Sequence, residues 1–420
     1  MKRVLFITYY WPPSGKPSIH WPLFVIKHIG KSGWQPVVLT VEEDTFNEQD
    51  RSMLKEVPGD VAVYKAKAFE PFNLYRALIG KKQDEPLVAS ETISSANKGL
   101  AHRLSVWIRM NLFVPDARIG WYPSAVKKGK EIYLEEKFDA VVSIGPPHSV
   151  HLIAKTLSQT FNLPHVPVFI DPWTDIAYYR GFSRSRLTLR LDNYFEKSVL
   201  QNCANAVFVT RAMEQDYNRK YPFLGEKAKV LYWGYNEENF IGAEIKKPER
   251  EKILLHAGNI FDYQNPENLW REIRKRNENG GQIKIKFIGT VSPGIRASLA
   301  ANGLDAVTEY KGFLPYNEAI TEMLSASYLL VCATESRHLP GKLFEYLRTG
   351  VPILAYGDDN DEAASMLREA NAGMLLRYKD DPAVFFETAH SFKADNSAVK
   401  QYDRAQIAEK LGNILDNAFN

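Results

Sequence analysis

Pro340-Gly341 followed by Lys342 and, three residues on, Glu345 is the stretch of this 420-residue chain whose residue types most directly imply chemistry. Pro340 and Gly341 make a loop, residues 342–349 suit a helix, Gly350 is a stop, and 351–356 reads as a buried strand. Backbone N–H groups at such a helix start can hold a phosphate, and Lys342 would add positive charge. Glu345, one turn on, could accept two hydrogen bonds from ribose hydroxyls. The same residues admit a plainer reading, with Glu345 matched to the helix dipole and Lys342 a solvated charge. His148 and His151 flank Ser149 after a run ending Gly145-Pro146-Pro147; either is a reactive imidazole or a hydrogen-bonded histidine at a helix start. Asp171 stands at a strand end, where an acid meets acceptor hydroxyls or caps the turn before Pro172. Gly15, between Ser14 and Lys16, would let the backbone approach a pyrophosphate or simply serve a Pro-rich turn. Asp358, Asp359, Asp361 and Glu362 have the types of a divalent-metal site. Lying after a strand and before a helix, they read instead as acids at a helix N-terminus, so no metal is expected.

The elements that must position these residues follow a repeated order. Residues 4–9 read as a buried strand, about 22–30 as a helix and 36–41 as a second strand, the start of a parallel βαβ arrangement. Further strands are expected at 61–64, 140–144, 166–170, 206–210 and 230–233. After a polar connection at 236–251 the pattern restarts, with strands at 253–256, 283–288, 307–310, 328–332 and 352–356. A last helix is expected over 396–418. The fold class is therefore α/β, with two successive doubly wound lobes: residues 1–235, residues 236–400, and a terminal segment 401–420. No sequence repeat relates the lobes. Open parallel sheets bind ligands at the carboxyl ends of their strands, which points to the loop after the first strand, to 143–175 and to the loops of the second lobe. A cleft between the lobes is the expected site.

Composition narrows the class. The chain has 45% hydrophobic and 25% charged residues, which is ordinary for a globular protein and excludes a collagen-like or disordered chain. No apolar run approaches the roughly 20 residues of a bilayer span. Cys203 and Cys332 are too few for a disulfide framework or a four-cysteine zinc site, which favours a reduced, cytoplasmic setting. Basic residues exceed acidic ones by 31 to 25 over residues 1–240 and fall below them by 22 to 25 over 241–420, for a net +3. That asymmetry fits an anionic surface or substrate for the first lobe. The basic residues are not clustered, so nucleic acid is not an expected partner. Residues 98–113 set Lys98, Arg103 and Arg109 beside a stripe of Leu104, Trp107, Ile108 and Leu112, a pattern that suits either a packed helix or contact with a membrane face. No G-x-G-x-x-G follows either lobe's first strand, which disfavours a nicotinamide dehydrogenase.

Several blocks in order resemble a family. YYWPPSGKPSIHW (9–21), LFVPDARIGW (112–121), SIGPPHSVHLIA (143–154), VFIDPWTD (168–175), LYWGYNEENF (231–240), HAGNIFDYQNP (256–266) and residues 335–357 together resemble the retaining GT-B glycosyltransferases that elongate bacterial glycans from nucleotide-sugars. The resemblance implies two Rossmann-like domains facing each other across a cleft, with a terminal helix packed back on the first. It implies transfer from a UDP-, GDP- or ADP-sugar to a glycan or lipid-linked acceptor, with retention and no obligatory cofactor or metal, in the cytoplasm or at the inner membrane face. Its positions fall on Gly15, Gly258, Asn259, Arg337, Lys342, Leu343 and Glu345 for the donor, and on His151, Asp171 and Arg337 for the reacting centre. Glu345 matches the second acid of the family's Glu-x7-Glu pattern, whereas the first acid's position holds Arg337. The block at 256 also lacks the basic pair that often neutralises the diphosphate, a task Arg337 and Lys342 would take over. An epimerase or hydrolase on the same fold, or an inert nucleotide-sugar-binding subunit, are the competing readings.

Overall fold

The computed structural model describes residues 1–46, 48–69, 100–175, 182–242 and 251–419. Much of the connection at 236–251, and Lys98, therefore lie outside the described residues. Two compact units are present. The first comprises Met1–Val209, Met213–Leu231 and Ala408–Asn420, and the second Thr210–Ala212 and Tyr232–Ile407.

The first unit's sheet contains β1 (Lys2–Thr8), β2 (Trp34–Val41), β3 (Ala62–Ala66), β4 (Ala140–Gly145), β5 (His165–Phe169), β6 (Ala206–Phe208) and β7 (Ala228–Val230). Their spatial order is β3-β2-β1-β4-β5-β6-β7, every pair parallel. The second unit's sheet contains β8 (Lys252–Ala257), β9 (Ile283–Ile288), β10 (Thr308–Gly312), β11 (Tyr328–Cys332), β12 (Ile353–Tyr356) and β13 (Gly373–Leu376), also parallel, in the order β10-β9-β8-β11-β12-β13. Both are doubly wound, and the two share one strand order without a recognisable sequence repeat. The order reverses between β1 and β4 and between β8 and β11, which makes the carboxyl ends of those strands the places for ligands.

Parallel strands covered by helices on both faces must be apolar on both sides. In the second unit Leu255, Leu329, Val331, Ile353 and Ala355 join one core while the alternate residues Leu254, Leu330, Cys332, Leu354 and Tyr356 join the other. The same continuous burial runs through Val4–Ile7 on β1. Such strands read as uninterrupted apolar runs, and most of the expected strands fall where they are observed.

Three differences have local causes. β7 ends at Val230; Leu231 still donates its N–H to the Phe208 carbonyl at 2.9 Å, but Tyr232 and Trp233 turn away and pack against the second unit's core. The final helix is two helices, Asn396–Lys400 and Arg404–Asn417. Between them Tyr402 is buried in the second unit's core, and Asp403 forms a bridge with Tyr235. A short strand at 373–376 has no counterpart among the expected elements; it joins the sheet only at its edge beside β12.

Candidate active site

The second unit's reversal point is built around glycines. Gly258, Gly289 and Gly312 stand at the ends of β8, β9 and β10 with φ of 103°, 100° and 66°. A Cβ on Gly289 would lie 2.8 Å from the Gly258 carbonyl carbon and oxygen. A Cβ on Gly258 would lie 2.6 Å from the Lys342 Nζ. Conformation demands glycine at both positions and space demands it at Gly289, and together they leave a bare backbone floor where the Lys342 amine sits.

Lys342 is the second residue of the helix Gly341–Thr349, which begins after β11 with Pro340 before it. Its Nζ is 3.2 Å from His256 Nε2. Burial lowers the amine's pKa to about 8, partly opposed by Cys332 and Glu345. Glu345, on the same helix, accepts a hydrogen bond from the Tyr316 hydroxyl. Burial raises its carboxyl above the usual range, opposed by the Tyr316 hydrogen bond and then by the charges of Arg404 and Lys342. Arg404 is itself buried, its N–H donating to the Tyr235 carbonyl at 2.9 Å. The amine thus sits in the first turn of the helix, where anion binding is favoured, and the Glu345 carboxylate follows one turn on.

The remaining expected residues of this unit are placed as follows. Asn259 is exposed, and its Oδ1 accepts from the Thr290 N–H at 3.2 Å, linking the loops after β8 and β9. Leu343 has its side chain in the core and its N–H donating to the Pro340 carbonyl at 2.9 Å, so it fastens the helix start from within. Arg337 lies in the loop between β11 and that helix, its carbonyl accepting from Thr210 Oγ1 at 3.2 Å. Asn360 ties the same loop down: its Nδ2 donates to the carbonyls of Glu335 at 2.8 Å and His338 at 3.1 Å, while its Oδ1 caps Ala363 N–H at 3.0 Å. In the acidic stretch, Asp361 and Glu362 occupy the first turn of the helix Asp361–Glu369, and Glu362 accepts the N–H groups of Arg211 and Ala212 at 2.7 and 3.0 Å. Among the described residues no group of three His, Cys, Asp or Glu side chains could hold a metal ion.

In the first unit, Gly15, His151 and Asp171 follow β1, β4 and β5, three neighbouring strands. The Gly15 N–H donates to the Glu48 carbonyl at 2.9 Å, and a Cβ there would meet Glu48 at only ordinary contact distance, 3.5 Å. Its φ lies outside the left-handed region, so neither space nor conformation demands glycine. His151 is fully buried in the helix Ser149–Phe161. Its Nδ1 is 2.8 Å from Ser143 Oγ, which is in turn 2.7 Å from His165 Nε2. A Cβ on Gly145 would lie 2.7 Å from His151 Nε2, so that nitrogen faces the end of β4 across a bare Cα. Burial holds His148 and His165 at about 3 and His151 well below its ordinary value, so all three rings are neutral. The helix start is held by Asp116, whose carboxylate accepts the Ser149 N–H at 2.8 Å and its hydroxyl at 3.1 Å.

Asp171 opens a loop anchored from below. Trp173 N–H donates to the Tyr217 hydroxyl at 2.9 Å, and Trp173 Nε1 donates to Asp192 at 2.7 Å. Asp192 also pairs with Arg184 at 2.7 Å in a buried salt bridge. Glu196 accepts from Tyr217 at 2.8 Å, Tyr221 at 2.6 Å and Lys220 at 2.7 Å. Both acids come from the helix Arg186–Asn202, whose buried stripe includes Thr188, Asp192 and Glu196. Its exposed side carries Arg186, Arg190 and Lys197 with Leu187 and Tyr194. Asn111 locks the helix Leu100–Leu112 to it, accepting the Ser185 N–H at 2.5 Å and donating to the Ser183 carbonyl at 3.1 Å. Trp107 and Leu112 on that helix are also exposed.

His256, Tyr316, Gly289, Ser143 and His165 are absent from the sequence-derived set. Gly289 alone left a local signal: an apolar strand followed by Gly-Thr repeats the strand-then-Gly-Asn of 257–259. The others act through partners distant in sequence.

Residues 237–411 match the family model described as glycosyl transferases group 1. Among solved structures, sucrose-phosphate synthase from Thermosynechococcus elongatus is similar over 100% of this chain and 95% of its own, at 12% identity and a TM-score of 0.57. HepE from Anabaena, solved with UDP and glucose, is similar over 99% of this chain and 100% of its own, at 12% identity and a TM-score of 0.59. The lipopolysaccharide outer core galactosyltransferase WaaB is similar over 99% of both chains, at 11% identity and a TM-score of 0.57. No curated protein sequence matches the chain significantly. At such identities the structural likeness is one of fold, and it spans both units. The chain thus has the GT-B fold, and its residues 237–411 are similar to the glycosyl transferases group 1 family.

Proposed function

We propose that this protein transfers a sugar from a nucleotide-sugar to a hydroxyl of a glycan or lipid-linked glycan, with retention of configuration and without an obligatory metal. The observation that carries the reading is the Lys342 amine over Gly258 at the β8–β11 reversal, one turn from Glu345. The helix N-terminus and Lys342 would take the diphosphate, with Arg337 supplying further charge from the neighbouring loop, and Glu345 the ribose. HepE was solved with UDP and glucose, which supports a nucleotide-sugar as the ligand class. As the bond from the anomeric carbon to the diphosphate oxygen breaks, charge grows on the leaving group, where these donors stabilise it. The first unit would present the acceptor through Asp171, with His151 at the reacting sugar and Gly15 near the pyrophosphate.

A lipid-linked acceptor would place the protein at a cytoplasmic membrane face. Trp107, Leu112, Leu187 and Tyr194 with Arg186 and Arg190 support such contact, since apolar and basic groups together suit an anionic interface. Among the described residues no helix is long and apolar enough to cross a membrane.

Thermal shifts with UDP, GDP, ADP and their sugar conjugates, without added metal, test the donor site. A ligand at about 100 times its Kd stabilises the native state by about 2.7 kcal/mol. No shift with any of them removes the proposal. Arg337 at the first-acid position favours one alternative, a subunit that binds nucleotide-sugar without turnover; it predicts shifts but no labelled product with any glycan acceptor.

A further inference from the structure

His256 is the penultimate residue of β8 and is buried. Its Nδ1 lies 2.9 Å from the carbonyl oxygen of Leu330 on adjacent β11. A carbonyl can only accept, so Nδ1 carries the proton and Nε2 is left with a lone pair. That lone pair faces Lys342 Nζ at 3.2 Å. Burial, and then the charge of Lys342, hold the imidazole far below its ordinary pKa, outweighing the carbonyls of Leu330 and Asn259, so the ring remains an acceptor at neutral pH. The amine is thereby kept against the bare Cα of Gly258. A lysine resting on a neutral base rather than a carboxylate has its charge only partly compensated, which leaves it open to an arriving anion.

We propose that His256 is a positioning residue for the donor's diphosphate: it holds the Lys342 amine over Gly258, and a nucleoside diphosphate binding there draws a proton onto that amine. This rests on the donor-site reading above. The ionisable groups facing the amine are His256 from β8, Cys332 from the end of β11 and Glu345 from its own helix. With the free amine titrating at about 8, roughly half of it is neutral at pH 8. The diphosphate favours the ammonium form, so binding at pH 8 takes up about half a proton from solvent. At pH 6.5 the amine is already charged and its own share of the uptake falls to nearly nothing. Above pH 8 affinity declines by up to about tenfold per pH unit, as a proton must be acquired for each ligand bound.

The test is calorimetric titration of the full chain with UDP, then GDP and ADP, at pH 6.5, 8 and 9, each in two buffers of different ionisation enthalpy. The expected result is uptake of about half a proton at pH 8, where the nucleotide is fully ionised, and no uptake at pH 6.5, where the terminal phosphate, with a pKa of about 6, releases protons instead. His256→Phe, which removes the lone pair, frees the amine to swing into solvent and regain an ordinary pKa. It should weaken UDP binding about 5- to 10-fold and abolish uptake at pH 8. His256→Gln, whose amide oxygen can still accept from the amine, should retain most of both. Circular dichroism checks that each variant is folded, and the two-buffer measurement on the unsubstituted chain stands without them. Binding without proton uptake at pH 8, or a folded His256→Phe with unchanged affinity and uptake, overturns the inference alone. Failure of all three nucleotides to bind at every pH overturns it together with the donor-site reading.

Discussion

Removing the Lys342 amine with Lys342→Met takes a charge-assisted contact from the diphosphate, a class of interaction contributing about 1.5–3 kcal/mol. UDP affinity should fall about 10- to 100-fold, while the melting temperature without ligand holds or rises because a buried charge is gone. Glu345→Ala separates ribose from phosphate recognition. It should weaken UDP severalfold and leave inorganic pyrophosphate affinity within a factor of two, as competition titrations would show; equal losses for both ligands contradict the ribose role. Gly258→Ala meets both a φ of 103° and the Lys342 amine, so it should cost about 1–3 kcal/mol of stability in urea unfolding and weaken UDP as well. Lys342 and Glu345 were legible in the sequence because Pro-Gly-Lys opens a helix and three residues carry the chain one turn to the acid. Their partners were not. His256 is 86 residues from Lys342 and Tyr316 is 29 from Glu345, and no local pattern announces a contact made only when a helix packs on a strand or on another helix.

The central strands, such as Val4–Ile7 and Tyr328–Cys332, were readable because burial on both faces writes itself as a continuous apolar run. Gly373–Leu376 escaped because four residues at a sheet edge, preceded by Asn371 in the left-handed region, look like a turn. The terminal helix was expected whole because helical periodicity runs through 396–418; Tyr402 and Asp403 interrupt it for contacts with the second unit's core and with Tyr235. The helix Arg186–Asn202 is the reverse case. Its buried stripe includes two acids that hold the loop after β5, while Leu187 and Tyr194 stay exposed beside Arg186 and Arg190. Sedimentation with vesicles tests that face. Binding to anionic phosphatidylserine-containing vesicles should be lost in Trp107→Ser/Leu187→Ser, weakened in Arg186→Gln/Arg190→Gln, and absent on neutral vesicles. Equal binding to neutral vesicles would contradict an electrostatic contribution.

Across the molecule, protonation opposes folding where imidazoles are buried neutral. His165 is held at about 3 in the native protein against about 6.5 in a model peptide. Between those values the unfolded chain binds the extra proton, so this contribution to stability is present above pH 6.5 and is lost as pH falls toward 3. His165→Asn should therefore flatten the pH dependence of the urea midpoint between pH 6.5 and 4 by about one proton relative to the unsubstituted chain. An unchanged slope would show that this imidazole titrates normally. The first unit also draws on both ends of the chain. Lys2 pairs with Asp416 at 2.9 Å, Phe419 stacks on the buried Trp34 with centroids 5.9 Å apart, and a Cβ on Gly412 would strike Ser32. During translation, then, the face of the first unit around Trp34 waits until residues 412–419 have left the ribosome. A nascent chain that has finished Val230 still lacks the cover for Trp34, and becomes complete only when the second unit has already had time to fold.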